Sequence, residues 1–528
     1  MANATQTTSC RGPKAQPGKY DRRGRARSLI APPNALPAMS IDPQSWYGEA
    51  IVRNAARHPD RPAIVSASHT VSFRGFQRSI EQIATSMLAH GCRPGEPVAL
   101  GLGRQPIDLV LLFAAHRLGV PVLVIGNDEP PDLTRPMIAA AGAARVLSTA
   151  AAPPPRRLGV PAFRIDESWL RVAVRGLPPP PGPRDVCYLL RSSGTTQGVP
   201  KLVEMTHAGQ SARHAGTQTR LVLGPADRFL AIFSFHLGYG RGAAQRSLMS
   251  GGGVVIPPPL QSPAHMAELV RQLGATWAAL TPAYLLGLMA ADWGPGRLLP
   301  GLRIVVGTGT LSPAARRAAM ARLSSEIHVM YGVNEVGVLT LATPDELRAN
   351  PETAGRPDPQ TELRVVDEHD RPLPPGAIGI VRFRHALYPS GYLRATPDAT
   401  SRFEGGWFYP GDVGLIDASG QLFLKGRVDD LINVSGAKVY PADIENCLSL
   451  HPAVSEVAVV AVPHPHTGTL PVACVVLGQP ATLGELARFC QRRLGAERSP
   501  RRIVVMPDLP KTELGKFDRR ALRERLRD

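Results

Sequence analysis

The sequence predicts an α/β fold: a large N-terminal domain of parallel and mixed sheets covered by helices, with a β-rich subdomain, then a small α+β domain. Three observations carry this. The 528 residues exceed one ordinary hydrophobic core. Strand-like and helix-like segments alternate through the first two thirds, which implies parallel strands covered on both faces. After Thr361 the pattern becomes short strands and turns, and from about Asp429 strands and helices mix in roughly one hundred residues.

The elements follow in order. "EAIVRNAARHP" has helical period, "PAIVS" is strand-like, and "FQRSIEQIATSMLAHG" is an amphipathic helix closed by Gly91. "PVALGL" and "PVLVIG" are buried strands flanking a helix; the segment from Asp108 is interrupted by His116 and Arg117, so it is not a membrane span. "LPPPPGPR" from Leu177 is a stiff connector. The alternation resumes with "FLAIFSF", "GGVVIPPP", "PAHMAELVRQLG", "WAALTP" and "RIVVGTGT". "ELRVVDEHDRPLPPGAIGIVRFRH" opens the β-rich section, and "SEVAVVAVP", "VACVVLG" and "LGELARFCQRRL" belong to the last domain. Expected boundaries are a disordered basic tail over 1–40, or a start at Met39, a core over 41–428, and the small domain over 429–528.

Composition narrows the function. A 43% hydrophobic content excludes a disordered chain. The six cysteines are scattered with no C-x-x-C pair, so neither a zinc site nor a disulfide framework is expected, and a reducing cytoplasm fits. The net charge is +17, but seven basic residues against Asp21 alone lie in the first thirty, and the rest is dispersed. That distribution does not point to nucleic acid. It fits a basic solvated surface, or steering of polyanions such as ATP, coenzyme A or an acidic carrier protein. No secretory signal core is present.

The chemistry begins at "YLLRSSGTTQGVPKLVEMTH" from Tyr188. Hydroxyls, glycines and a closing Lys201 after an apolar run suit a phosphate, although Val199 and Pro200 break the common G-x-x-x-x-G-K-[ST] pattern. Alone, such a loop is equally an ordinary turn. Four further motifs follow it in order: "YGVNEVG" at Tyr331, "GWFYPGD" at Gly406, "GRVDDLINVSGAKVYPADIE" at Gly426 and "PKTELGKFDRR" at Pro510.

This set resembles the adenylate-forming superfamily of acyl-CoA synthetases, adenylation domains and luciferases, from about Ser45 to the C-terminus. The resemblance implies a mobile C-terminal lid and activation of a carboxylate by ATP and Mg²⁺, with transfer to a thiol of coenzyme A or of a carrier protein's phosphopantetheine. It implies phosphate contacts from Ser192, Ser193, Gly194, Thr195, Thr196 and Lys201, with Thr195 also near the metal. The loop is one residue longer than the family pattern, with Gln197 inserted before Gly198. Tyr331 and Gly332 would lie against adenine, with Gly309 and Thr310 of "GTGT" as a looser part of that wall. Glu335 would bind Mg²⁺, and Asn334 stands where Thr is usual. Asp412 would accept the ribose hydroxyls beside Arg427, and Pro410 replaces a Thr. Asp429 falls at the hinge, Gly436 lines the thiol tunnel, and Lys516 is the lid lysine that stabilises charge as the adenylate forms.

His236 in "FSFHLGYGRG" would be the aromatic gate between acid and thiol. The following residue is Leu237, where amino-acid-activating relatives carry Asp and 2-hydroxybenzoate-activating ones Asn. An uncharged aryl or fatty acid is therefore expected. The given sequence contains no carrier domain, so the acceptor is free coenzyme A or a separate acyl carrier protein. A catalytically degenerate nucleotide- or acyl-binding protein is the alternative of another class.

Overall fold

The computed structural model describes residues 44–526 apart from 68, 151–157, 197–198, 260–261, 292–295, 394–401, 435–436, 465–467 and 512–516; of 193–196, 199–200, 263–264, 433, 437–438 and 468 only the backbone is described. The expected tail, Gln197, Gly198, Gly436 and Lys516 lie outside these residues.

The chain begins with α1 (Glu49–Arg57), β1 (Pro62–Ser66), β2 (Thr70–Ser72) and α2 (Phe73–Ala89), the last capped by Ser72, whose hydroxyl accepts from Gly75 N–H at 3.2 Å. Then come β3 (Val98–Leu102), α3 (Pro106–Leu118), β4 (Val122–Gly126), α4 (Pro131–Ala141), β5 (Arg145–Ser148) and β6 (Ala162–Arg164). Helix α3 starts at Pro106 behind a Gln105–Asp108 capping box and ends at Gly119, which sits at φ 72° where a side chain would be strained. Strands β3 and β4 are buried throughout, as their unbroken apolar runs require of central parallel strands.

The sheet is completed by β7 (Val186–Thr196) and β8 (Val199–Thr206), in the order β6-β5-β3-β4-β7-β8. All neighbours are parallel except β7 and β8. Here the structure corrects the sequence reading. The stretch expected as a loop is a β-hairpin, with Thr195 opposite Pro200 and Thr196 opposite Val199 after a register slip beyond Arg191. Burial of Leu202, Val203 and Met205, with Glu204 exposed, anchors that pairing, and the polar residues follow it.

A second sheet takes β9 (Arg228–Leu230), β10 (Gly253–Ile256), β11 (Trp277–Leu280), β12 (Arg303–Val306), β13 (Ile327–Val333) and β14 (Gly337–Ala342), in the order β14-β13-β12-β11-β9-β10-β1-β2. "FLAIFSF" contributes only two strand residues, Phe229 and Leu230, because the chain turns away after Leu230 to form the site. The intervening helices are α5 (His207–Leu221), α6 (Gly238–Met249), α7 (Pro263–Leu273), α8 (Pro282–Ala290), α9 (Pro313–Arg322) and α10 (Pro344–Ala349). A continuous core containing Phe113, Tyr188, Phe229 and Trp277 lies between the two sheets.

The β-rich section is a third sheet of β15 (Glu362–Val366), β16 (Gly379–Arg384), β17 (Phe403–Glu404), β18 (Trp407–Phe408), β19 (Asp412–Ile416) and β20 (Leu422–Arg427). The last segment forms a fourth sheet of β21 (Ile432–Val434), β22 (Ala437–Val439), β23 (Val454–His464), β24 (Gly468–Leu477) and β25 (Arg502–Val505), with α11 (Pro441–Leu448), α12 (Leu483–Leu494) and α13 (Arg519–Arg525). The fold class is the one the alternation predicts. Among the described residues the cysteines are free, and no helix is long and apolar enough to cross a membrane.

Candidate active site

Ligand sites in open α/β sheets form outside the carboxyl ends of the strands, and several of the predicted residues gather there. Strand β13 carries Tyr331 and Gly332 to its end. The Tyr331 hydroxyl donates to Asp412 Oδ2. Asp412 opens β19 directly opposite Arg427, the last residue of β20, and Arg427 Nη1 reaches Asp412 Oδ1 at 3.2 Å and the Pro410 carbonyl at 2.6 Å. Gly411 has φ 82°, and a Cβ there would meet Arg427 Nη2 at 2.8 Å, so only glycine lets the guanidinium lie across the strand. Pro410, a departure in the sequence, thus supplies a carbonyl that holds Arg427. Burial raises the Asp412 carboxyl above its ordinary range, opposed by Arg427 and the Tyr331 hydroxyl. Burial, and then the charge of Asp412, raise the Tyr331 phenol well above its usual value.

Asn334 and Glu335 occupy the turn between β13 and β14. Gly337 closes it at φ 87°, pressed against Arg213, whose Nη2 donates to the Asn334 carbonyl at 3.3 Å. Glu335 is 1% exposed. Its Oε1 accepts from the Tyr392 hydroxyl at 3.2 Å and lies 3.8 Å from Arg402 Nη1, while Oε2 is buried with no partner among the described residues. The Tyr392 ring also carries Lys201 Nζ, 5.0 Å from its centroid. Strand β8 fixes that ring, since Tyr392 bridges Val203 and Leu393 N–H donates to Leu202 O at 2.7 Å. Tyr392 therefore joins the predicted phosphate segment to the predicted metal ligand. Burial, and then Glu335, push its phenol strongly up. Ser192 is buried beside Arg191, which pairs with Glu129 at 2.9 Å; Ser193, Gly194, Thr195 and Thr196 continue β7.

His236 lies between the two sheets' ends. Its Nδ1 is 2.8 Å from Ser234 Oγ, which donates to the Gly103 carbonyl at 2.8 Å, and a Cβ on Gly126 would lie 3.4 Å from its ring. Arg241 Nη1 donates to the carbonyls of Phe235 and His236 at 2.9 and 2.8 Å, clamping the backbone that carries the imidazole. Across from it, Gly307 faces the Tyr239 ring, where a Cβ would come within 2.9 Å, and Tyr239 donates to Val305 O at 2.9 Å. Thr308 holds φ 70° with its hydroxyl buried and unpartnered among the described residues.

Some predicted residues stand apart. Gly309 and Thr310 are exposed beyond Thr308, and Asp429 is an exposed turn residue after β20. Its neighbour Asp430 takes Arg523 at 2.8 Å, and Lys425 of β20 pairs with Asp443 of α11 at 2.9 Å. The sequence did not point to Tyr392, Arg402, Arg241 or Tyr239. "GY" at Gly391 was the one local signal, an aromatic stranded among turn residues.

Among the described residues no cluster of three or more His, Cys, Asp or Glu could hold a metal by itself. A single buried carboxylate with an unpartnered oxygen fits Mg²⁺, which usually takes one or two protein carboxylates and completes its shell with phosphates and water. Glu335 is that carboxylate here.

Residues 51–393 match the family described as AMP-binding enzyme, and 443–516 match the AMP-binding enzyme C-terminal domain. The chain is 30% identical over 519 residues to a salicyl-AMP ligase / salicyl-S-ArCP synthetase of Mycobacterium tuberculosis, covering 90% of this chain and 91% of that one. It is 28% identical over 500 residues to a 4-chlorobenzoate–CoA ligase of Arthrobacter, covering 90% and 95%. The fold is shared with ATP-bound MatB of Rhodopseudomonas palustris, with TM-score 0.82 at 23% identity over 91% of this chain and 99% of that one.

Proposed function

This chain belongs to the AMP-binding enzymes, and from that premise we propose that it activates a carboxylic acid with ATP and transfers the acyl group to a thiol, foremost that of coenzyme A. The observation that carries the reading is the meeting of Tyr331, Asp412 and Arg427 beside a hairpin whose Glu335 keeps a buried, unpartnered oxygen.

In the first half-reaction an acid oxygen attacks the α-phosphorus of ATP, the bond to the β-phosphate bridge breaks, and pyrophosphate leaves with an acyl adenylate formed. A thiolate then attacks the acyl carbon, the carbon–oxygen bond breaks, and AMP leaves with that oxygen. Mg²⁺, when bound, neutralises phosphate charge. Asp412 accepts the ribose hydroxyls while Arg427 holds its carboxylate in place. Tyr331 packs on adenine. Glu335 anchors the metal, and Tyr392 keeps Lys201 near it for the phosphates, with Ser192, Ser193, Thr195 and Thr196 as further contacts. His236, fixed by Ser234 and by the Arg241 clamp, gates acid from thiol. Lys516 supplies the cation of the first half-reaction, Asp429 is the hinge of a lid spanning 429–528, and Gly436 lets pantetheine pass.

Leu237 supports an aryl or fatty acid over an α-amino acid, because it offers an ammonium no partner. The relatives named for aryl acids favour the aryl class, and their printed acceptors differ, one a carrier protein and one coenzyme A. The free cysteines suit a reducing cytoplasm. ATP–pyrophosphate exchange across a panel of acids tests the activation step. Supplying coenzyme A or acyl carrier proteins then tests the acceptor. Nucleotide binding without exchange for any acid would leave a degenerate binding protein instead.

A further inference from the structure

Helix α6 buries a charge that no group among the described residues neutralises. Gly238, Gly242 and Arg246 recur every four residues and share one helix face. Arg246 is 6% exposed, yet among the described residues its guanidinium has no hydrogen-bond or ion-pair partner, and Nε is buried without an acceptor. The side chain leans back along the helix, so that Nη1 lies 3.5 Å from where a Cβ on Gly242 would stand, and His214 Nε2 lies 3.9 Å from the same point. One turn nearer the site, a Cβ on Gly238 would be 3.7 Å from both Arg241 Nη2 and Asn334 Oδ1. At both glycines a side-chain atom would stand at ordinary contact distance, so the glycine face is a shallow notch with Asn334 at one end and Arg246 at the other.

The charged and titratable groups around this notch are Arg213, Arg241, Tyr47, Tyr239 and His214, with no carboxylate paired to any of the three arginines among the described residues. Burial pushes the Arg246 guanidinium down to about 10, so it is still a cation at neutral pH, and burial holds His214 neutral. A buried guanidinium without an acceptor is costly unless an anion arrives to share it. The planar fork of arginine suits a carboxylate.

We propose that this notch receives a second acidic group on the substrate, so that the acid activated here is a dicarboxylate-like molecule with its second anion about one helical turn, ~5.4 Å, deeper than Gly238. This rests on the reading of the site as acid-activating, and it refines the expectation of an uncharged acid drawn from Leu237. Leu237 denies an ammonium a partner; Arg246 offers an anion one.

The test compares matched acids, benzoate against 4-carboxybenzoate and pentanoate against glutarate, by ATP–pyrophosphate exchange and, without ATP, by calorimetric binding. The wild type should favour the diacid of a pair by roughly a hundredfold in kcat/KM. Arg246→Met should reverse that preference and abolish calorimetric binding of the diacid. Gly242→Ala, which keeps the cation and fills the notch, should weaken the diacid about tenfold and carries the test if Arg246→Met fails to fold. Exchange favouring monoacids, with a ratio unmoved by either variant, overturns the inference and leaves the acid-activating reading standing. Diacid binding lost in Arg246→Met, without exchange for any acid, overturns that reading and leaves the anion notch standing. Neither exchange nor diacid binding in the wild type overturns both.

Discussion

Replacing Glu335 with glutamine separates a metal ligand from a structural acid, because it removes a charge and keeps the shape. In the free protein the amide forfeits Arg402, 3.8 Å away. That attraction is worth about 4 kcal/mol at an effective dielectric of 20. The amide also sheds the desolvation penalty of a carboxylate that is 1% exposed, several kcal/mol by itself. The two offset, and the unfolding free energy should change by no more than about 1 kcal/mol. The Tyr392 hydroxyl can still donate to the amide oxygen. With MgATP present the balance differs, since Oε2 has no partner among the described residues to replace the metal. Turnover should fall tenfold to a thousandfold, or about 1.4–4 kcal/mol, the scale of one preorganised electrostatic contact. Pyrophosphate exchange across a Mg²⁺ titration, with thermal unfolding in parallel, should show half-saturation at higher Mg²⁺ and an unchanged Tm. Unchanged Mg²⁺ dependence would refute the reasoning, and a collapsed Tm beside it would make Glu335 a structural acid.

Three further expectations accompany it. Asp412 has a raised carboxyl, so its neutral form favours the fold and this contribution is lost as pH rises through the raised value; Asp412→Asn should therefore keep its Tm at pH 7 by calorimetry while nucleotide affinity falls at least tenfold. Glu346 is different: burial raises it, but Arg220 at 2.5 Å, the Thr343 N–H and Arg356 outweigh that and hold it low. Its stabilisation is present above the unfolded value of about 4.3 and lost as pH falls through the depressed folded one. Glu346→Gln should cost about 3 kcal/mol at pH 7 in denaturant titrations, with the gap closing in acid. Lys516→Ala should abolish pyrophosphate exchange yet make thioester from a presynthesised acyl adenylate, and Asp429→Pro should do the converse; equal loss of both half-reactions in both variants would count against two lid positions.

What the sequence discloses divides along physical lines. Val98–Leu102 and Val122–Gly126 are legible because parallel strands buried on both faces must be continuously apolar. Tyr331, Asn334 and Glu335 are legible because one short motif holds them, and the Asp412–Arg427 pair because one β-hairpin does. Residues 192–201 read as a loop from their hydroxyls and glycines, but the pairing of Leu202–Met205 with β7 overrides that local preference. Arg241 and Arg246 are the hardest. No local pattern in "GYGRGAAQRS" announces that its arginines are buried, because Tyr188, His214 of α5 and the Asn334 hairpin, which pack around them, are distant in sequence. Tyr392 gains its place from backbone bonds to β8, which no local pattern announces.

The central claim is that an acyl adenylate forms and is broken by a thiol. It is tested most directly by following the acid's oxygen. With a carboxylic acid labelled with ¹⁸O in its carboxylate, MgATP and coenzyme A or a carrier protein, one labelled oxygen should appear in the phosphate of AMP and none in pyrophosphate. Label in inorganic phosphate released with ADP, or AMP free of label while thioester accumulates, would contradict the account.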